Sequence, residues 1–315
     1  MSSVQPNTHA TDRPFTAATL LVFAALIMGI QDGGIKYLAA DWSIWQFSLL
    51  RAFFALPVLF ITTRLIGGAS RMVPVKWSAV LARTACMVVA LFFFFGSLAT
   101  LSFAQAAAGL YTAPLFVAML SHLLLRERVG PRRLVAIIGG FAGAMLILQP
   151  DLTAVGLLTF LPVGAGAFYA LGLIVTRRMC VQESAFTLAT GTQAAYGLAG
   201  LVGSVWLMLT PAPLSAVEQL PFVFQPWIPL TAMTLAIVAV VSALNVAGHT
   251  GMARAYQTAE ASFLAPFDYT YLVFATLLGA LFWSEAITPI TIIGILMIAG
   301  GGGYVAWRER HGKDA

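Results

Sequence analysis

The chain contains 315 residues, of which 60% are hydrophobic and only 9% are charged. Soluble domains average roughly 45–50% apolar and about 25% charged residues, so this composition excludes a soluble fold and indicates an integral membrane protein. The net charge of +5 is not gathered into a groove-sized basic patch, which argues against a nucleic-acid partner. Cys86 and Cys180 form neither a disulfide framework nor a C-x-x-C pair. We therefore predict no metal site and no cofactor.

Apolar runs between polar or turn-rich breaks predict ten membrane-spanning helices, because about 20 mostly apolar residues are needed to cross a bilayer. No soluble domain is expected, since the longest connection, 210–226, is short. The predicted spans are 15–38, 44–63, 77–97, 101–124, 132–149, 155–176, 186–209, 227–248, 257–283 and 288–307.

The distribution of basic residues predicts the orientation. Lysine and arginine concentrate in cytoplasmic loops, and ten spans with a cytoplasmic amino terminus place 14 of the 17 basic residues inside. Both termini are then cytoplasmic, and the protein is predicted in the cell (inner) membrane. The outside loops carry acidic residues instead, namely Asp41, Asp151, Glu218 and Glu285.

A weak internal similarity suggests two halves of five spans each. Because five is odd, the second half would insert upside down, as in transporters built from inverted repeats. Chance similarity between helices rich in alanine and glycine is the alternative. The matching pairs are 96–107 with 251–262, Glu127 with Glu285, and Gly143 with Gly301. The predicted organisation is a tail (1–14), a first repeat (15–149), a second repeat (155–307) and a tail (308–315).

This plan resembles the EamA-like members of the drug/metabolite transporter superfamily, over about residues 17–307. The resemblance implies transport of a small metabolite, such as an amino acid, nucleobase, vitamin, cofactor or sugar. The stretch Glu260 to Glu285, with Asp-Tyr-Thr-Tyr at 268–271, departs from the family's usual proline pattern and resembles a subgroup that includes S-adenosylmethionine and riboflavin uptake carriers. The residues that carry the resemblance are Lys36, Arg51, Ala104 to Ala108, Pro114, Leu-Arg-Glu at 125–127, Trp-Ser-Glu at 283–285 and Gly294.

Ionisable side chains inside the spans are the first candidates for function, because each costs roughly 2.5–3.5 kcal/mol in hydrocarbon. Asp268 lies about 16 Å into the ninth span at 1.5 Å per residue. Its short side chain cannot reach the surface, so a proton, water or a cation such as Lys36 or Arg51 must neutralise it. A buried structural hydrogen bond is the alternative.

The other ionisable candidates have structural explanations as well. Asp32 and Lys36 are spaced i, i+4 on one helix face and can pair with each other. Arg51 and Arg83 lie near span ends and can extend toward the nearer surface. Glu260 lies close to Arg254, which predicts a salt bridge at the rim.

Prolines and tyrosines provide the remaining site candidates. Pro114 and Pro266 lie in matching mid-span regions, and interrupted helices at such positions indicate a substrate site. Tyr111, Tyr269 and Tyr271 lie nearby and could stack on a flat solute, although core packing is the alternative.

These residues together predict a secondary transporter that carries a small polar or amphipathic metabolite by alternating access. No Walker motif or H-E-x-x-H sequence occurs, so neither direct ATP use nor this enzyme chemistry is expected. The alternative is a channel, sensor or structural subunit. The predicted partners are the transported solute and membrane lipid, and the arginines at 126–133 are expected to contact the lipid headgroups. The glycines at 300–303 would permit the close helix contact of a homodimer.

Overall fold

A computed structural model describes residues 13–38, 42–67, 72–97, 109–127, 129–148, 160–219, 221–283 and 287–311. Within these ranges the chain is helical and contains no β-strand, which confirms the all-α prediction for the described part. The helices are α1 (Pro14–Leu38), α2 (Ile44–Gly67), α3 (Trp77–Ser97), α4 (Ala113–Leu120), which a π-helical turn (Ser121–Leu125) extends, α5 (Pro131–Leu148), α6 (Leu161–Met179), α7 (Ala185–Leu209), α8 (Leu214–Gln219), α9 (Pro221–Phe224), α10 (Ala232–Thr258), α11 (Ala261–Asp268), α12 (Thr270–Trp283) and α13 (Pro289–His311).

Each predicted span contains at least one of these helices. Seven described segments are long and apolar enough to cross a membrane: α1, α2, α3, α5, α7, α10 and the segment formed by α11 and α12. The extended α4 and the apolar part of α13, Pro289–Tyr304, are apolar but shorter. The described chain is therefore a multi-pass membrane protein, and ten crossings stay a prediction.

Several helix limits differ from the predicted span boundaries. The eighth span was expected to end at residue 248, but α10 continues to Thr258. Its last turns are held by buried contacts, since Gln257 Nε2 donates to the carbonyl oxygens of Cys180 (2.7 Å) and Glu183 (2.8 Å). The ninth span begins at Ala261 and is interrupted at Tyr269. The predicted carboxyl-terminal tail is helical as far as His311.

The helices pack in a pattern that connects the two sequence halves. α1 packs on α10, and α6 packs on α3. α1 also contacts α11 and α12, while α6 contacts α4. α2 packs on α7, and α5 on α13. Exchanging each span with the span five positions later leaves this set of contacts unchanged.

Glycines bring α5 and α13 into backbone contact. A methyl group added to Gly143 would lie 2.7 Å from the carbonyl oxygen of Gly294, and one on Gly294 would lie 2.6 Å from that of Gly143. A methyl on Gly301 would lie 3.2 Å from the carbonyl oxygen of Ala136. A shift of 158 residues carries Gly143 onto Gly301 and Ala136 onto Gly294. The same contact is therefore present twice.

Candidate functional site

Two spans are interrupted near the middle of the bundle, each at a Tyr-Thr pair. In the fourth span a turn at Tyr111 and Thr112 precedes α4, and in the ninth Tyr269 separates α11 from Thr270. The Thr112 hydroxyl donates to the carbonyl oxygen three residues earlier at 2.6 Å, and so does that of Thr270. These bonds satisfy carbonyls that a continuous helix would have bonded. The two breaks are again 158 residues apart.

The breaks bring two predicted tyrosines together. The Tyr111 and Tyr271 rings stack with centroids 5.7 Å apart and an interplanar angle of 25°. The Tyr271 hydroxyl donates to Asp32 Oδ2 in α1. An aromatic surface from both halves of the chain thus lies beside a carboxylate.

A chain of side-chain amides leads away from Asp32. Gln31 Nε2 donates to Asp32 Oδ1 at 3.0 Å, and Asn245 Nδ2 donates to Gln31 Oε1 at 2.8 Å. Gln193 Nε2 in turn donates to Asn245 Oδ1. With Tyr271, this amide chain links α12, α1, α10 and α7. Gln31, Asn245 and Gln193 are all buried, so the chain is a polar path through the apolar interior.

Arg51 does not reach the surface, contrary to the expectation from its position near a span end. It is 6% exposed, and its guanidinium lies over the rings of Tyr196 (4.7 Å) and Phe47 (5.3 Å). Its Nε is buried without a hydrogen-bond partner. Cation–π contact explains how the cation is held inside. Asp32 is near enough to interact with it electrostatically.

Arg83 is also buried, at 3% exposure, so its predicted extension to the surface was wrong. Its Nε donates to Thr176 Oγ1 at 3.0 Å. Its Nη1 donates to Thr192 Oγ1 at 2.6 Å and to the Leu188 carbonyl oxygen at 3.2 Å. The guanidinium therefore joins α3 to α6 and α7 through neutral acceptors.

Among the described residues, Asp268 has a hydrogen-bond donor, which is the structural alternative that the sequence left open. The Tyr256 hydroxyl donates to Asp268 Oδ2, whereas Oδ1 is buried without a partner. Tyr111 and Tyr169 are close enough to interact electrostatically with this carboxyl group. The two aspartates thus lie around one tyrosine-rich region, and each is bonded to a tyrosine hydroxyl.

At the end of the bundle where the loops are rich in arginine, several polar contacts cross between the halves. Glu127 accepts the backbone N–H groups of Ala261 (3.3 Å) and Ser262 (3.2 Å) at the start of α11. Glu260 pairs with Arg133, not with Arg254 as expected. Arg133 Nη1 also donates to Ser262 Oγ at 2.9 Å. Burial raises the pKa of the Glu127 carboxyl above its ordinary value.

Three other predicted site residues and Pro266 can be located in the bundle. Tyr269 is fully buried, and its ring lies so close to Gly140 that an added methyl would be 2.5 Å from Tyr269 Cδ2. Pro114 is in the first turn of α4, and Pro266 lies inside α11. The helix breaks thus fall at the Tyr-Thr pairs rather than at the prolines. Lys36 belongs to α1, but its side chain lies outside the described residues, so its pairing with Asp32 stays a prediction.

Charge alone does not identify the neutral polar residues of the site. Gln31, Gln193 and Asn245 carry no charge, yet each is an uncommon residue in the middle of an apolar helix and was visible as such. Tyr256 was missed because it fell in a predicted loop. Within the described residues, no three His, Cys, Asp or Glu side chains are grouped so as to hold a metal ion.

Comparison with known proteins agrees with this architecture. Residues 15–149 match the EamA-like transporter family. A protein named riboflavin transporter from Rhizobium johnstonii is 27% identical over 276 residues, which cover 87% of this chain and 83% of the relative. A riboflavin transporter from Vibrio cholerae is 34% identical over 175 residues, 56% of this chain and 53% of the relative.

A solved crystal structure has a TM-score of 0.74 with 18% identity, covering 92% of this chain and 96% of that chain. At this identity the similarity concerns the fold alone. The apolar helices and the named relatives together define a multi-pass membrane transporter, not an enzyme. The match to the EamA-like transporter family lies in the first half of the chain, and together with the named relatives it supports an EamA-like transporter of the drug/metabolite transporter superfamily.

Proposed function

We propose that this protein is a secondary transporter for a flat heteroaromatic metabolite of the riboflavin type, working by alternating access around the paired helix breaks. Its fold would be ten spans in two inverted repeats with both termini cytoplasmic. The observation that carries the proposal is the Tyr111–Tyr271 stack, which lies between the two breaks and beside Asp32.

The repeated contacts support two equivalent halves. The helix pairs are unchanged when spans five apart are exchanged. The Gly143–Gly294 contact recurs as Ala136–Gly301, and the Tyr-Thr breaks recur at the same shift of 158 residues. Two similar halves of opposite orientation can exchange conformations, so that a site between them opens to one side and then to the other.

The chemistry of the site favours a flat solute with polar edges. Aromatic rings pack at about 3.5–4 Å between carbon atoms, so separating the Tyr111 and Tyr271 rings to about 7 Å would admit one planar ring between them. Asp32 and Gln31 would then face its polar edge. Three relatives bear the name riboflavin transporter, and riboflavin has such a ring.

The direct test is uptake of radiolabelled riboflavin into proteoliposomes containing the purified protein. We expect saturable uptake that unlabelled riboflavin inhibits and that Tyr111→Ala reduces at least tenfold. Tyr304→Ala is the matched control, because Tyr304 is 44% exposed on α13, away from the stack. S-adenosylmethionine, amino acids and nucleosides would be added as competitors.

Three outcomes would contradict parts of the proposal. Uptake that increases linearly without saturation would indicate a channel rather than alternating access. Competition by amino acids or S-adenosylmethionine, but not by riboflavin, would retain a transporter and reject a flavin-type substrate. Equal uptake by the two tyrosine variants would reject the stack as the binding surface.

A further inference from the structure

We propose that the small cavity between α3, α7 and α10 is a subsite for hydroxyl groups, and that it selects solutes in which a polyol or ribose-like chain is attached to the flat ring. This inference rests on the proposed function, because it adds a second part to the same binding site. Its principal residues are Gln193 and His249, with Arg83 beside them.

The cavity has a volume of about 10 Å³, which is the space of roughly one water molecule or one hydroxyl group. Its lining mixes polar with apolar side chains, unlike the apolar cores around it. The residues that line it are Arg83, Met87, Ala189, Thr192, Gln193 and His249.

The amide chain fixes which atom Gln193 presents. Asp32 already accepts a hydrogen bond from Tyr271, and its other oxygen accepts from Gln31. Gln31 therefore offers its oxygen to Asn245, and Asn245 offers its oxygen to Gln193. Gln193 must use its nitrogen for that bond, which leaves Oε1 as the last atom. Gln193 Oε1 is buried and has no donor.

The same cavity also carries hydrogen-bond donors that have no acceptor in the part of the chain that the structure describes. Arg83 uses Nε and Nη1 in its protein hydrogen bonds, so Nη2 is a donor without a partner among the described residues. The imidazole of His249 makes no hydrogen bond within the described part of the chain. The buried Gln193 oxygen thus lacks a donor, while Arg83 and His249 offer donors on the same cavity.

A hydroxyl group satisfies both requirements at once. Its proton can be donated to Gln193 Oε1, and its oxygen can accept from Arg83 or His249. A bare anion would face the Gln193 oxygen, and an ammonium group would face the Arg83 cation, so neither matches the lining. Because the amide chain connects Gln193 to Asp32 and Tyr271, the subsite is joined to the ring surface by continuous hydrogen bonds.

The test compares two flavins that share one ring system. Riboflavin carries a hydroxylated ribityl chain, whereas lumiflavin carries a methyl group at the same nitrogen. Titration of flavin fluorescence with purified protein would measure both dissociation constants. We expect wild-type protein to bind riboflavin at least tenfold more tightly than lumiflavin, since a site built for a hydroxyl leaves its polar groups unpaired when the hydroxyl is missing.

The variants are Gln193→Leu and His249→Leu, tested separately because loss of the Gln193 bond to Asn245 can impair folding. Each should bring riboflavin affinity close to that of lumiflavin while lumiflavin binding stays within twofold. Tyr111→Ala, the ring-surface variant, should weaken both flavins alike.

Three other results would contradict the subsite, its assigned residues or the proposed function, respectively. Equal wild-type affinity for the two flavins would reject the hydroxyl subsite and leave the flavin-type substrate standing. A preference for riboflavin that survives in both leucine variants would reject these residues, and the cavity would then hold only water. If neither flavin binds wild-type protein, the proposed function fails, and this inference fails with it.

Discussion

At the scale of single residues, the two partly buried aspartates differ in how their oxygens are satisfied. Both oxygens of Asp32 accept a hydrogen bond, one from Tyr271 and one from Gln31. Asp268 accepts one bond from Tyr256, and its Oδ1 is buried with no donor. Hydrogen bonds to a carboxylate stabilise its charged form. Both oxygens of Asp32 are thus occupied by donors, whereas Asp268 keeps one oxygen that can take up a proton.

This difference predicts separate roles in coupling. Asp268→Asn should abolish riboflavin accumulation driven by a pH gradient while preserving exchange of internal for external substrate, because the amide cannot release a proton. Asp32→Asn should weaken substrate binding at least tenfold and leave the pH dependence in place. Proteoliposome uptake with and without an imposed pH gradient measures both effects. Accumulation by Asp268→Asn at the wild-type level would end the coupling hypothesis.

The sequence identifies some residues of the site but not the residues that they contact. Asp32, Asp268, Arg51 and the tyrosines could be selected because charge and aromatic rings in an apolar span are rare. Their partners could not, since a hydrogen bond such as that from Asn245 to Gln31 joins residues 214 positions apart. Arg83 was misassigned for the same reason, because its distance from the span end said nothing of the acceptors on α6 and α7.

At the scale of helices, close packing of α5 on α13 depends on glycine. The carbonyl oxygen of Gly294 would lie 2.7 Å from a methyl on Gly143, and this neighbour is backbone that cannot rotate away. Gly139, one turn earlier on α5, has open space around it. Substituting each glycine by alanine therefore separates two effects within one helix: steric overpacking at Gly143 and the higher helix propensity of alanine at Gly139.

Gly143→Ala should destabilise the folded protein by about 1–3 kcal/mol through overpacking. Gly139→Ala should stabilise it slightly, by up to about 1 kcal/mol, because alanine favours the helix. Unfolding in mixed micelles of dodecyl maltoside and sodium dodecyl sulfate measures both free energies. Equal effects of the two substitutions would contradict a Gly143–Gly294 backbone contact.

Helix limits were predictable where apolar runs end in polar or turn residues. α3 (Trp77–Ser97) begins and ends where the sequence predicted. The prediction failed at α10. Gln257, in the final turn of this helix, bonds to the carbonyl oxygens of Cys180 and Glu183 in a distant loop, and local hydrophobicity does not reveal such contacts. The prolines indicated interruptions in the middle of these spans, and the breaks lie at the Tyr-Thr pairs, two to three residues from Pro114 and Pro266.

At the scale of the whole molecule, the contacts around Glu127 close one end of the interface between the halves. Glu127 and Arg133 belong to the first half, whereas α11 and Glu260 belong to the second. The Glu127 carboxyl bonds to the first N–H groups of α11, where the helix dipole favours a negative group. Separation of the halves at this end must break that bond and the Arg133–Glu260 ion pair.

The charge of Glu127 should therefore set the pH dependence of opening. Its pKa is raised in the closed arrangement, first by burial and further by the nearby Glu260, while Arg177 and the Ala261 and Ser262 N–H groups lower it. When the halves separate, the exposed carboxyl returns toward its ordinary pKa. The closed form then binds the proton more tightly, so closure gains stability below the ordinary pKa and loses it as pH rises through the raised pKa.

Glu127→Gln, which is neutral at every pH and keeps an acceptor for α11, should remove this dependence. Hydrogen exchange at the amides of Ala261 and Ser262, expressed as protection factors, measures opening at this end. Wild-type protection should fall as pH rises through the raised pKa, and that of Glu127→Gln should stay constant. Glu183→Gln is the matched control, since Glu183 accepts the N–H groups of Val75 and Lys76 before α3. Identical pH profiles for wild type and Glu127→Gln would show that another group controls opening.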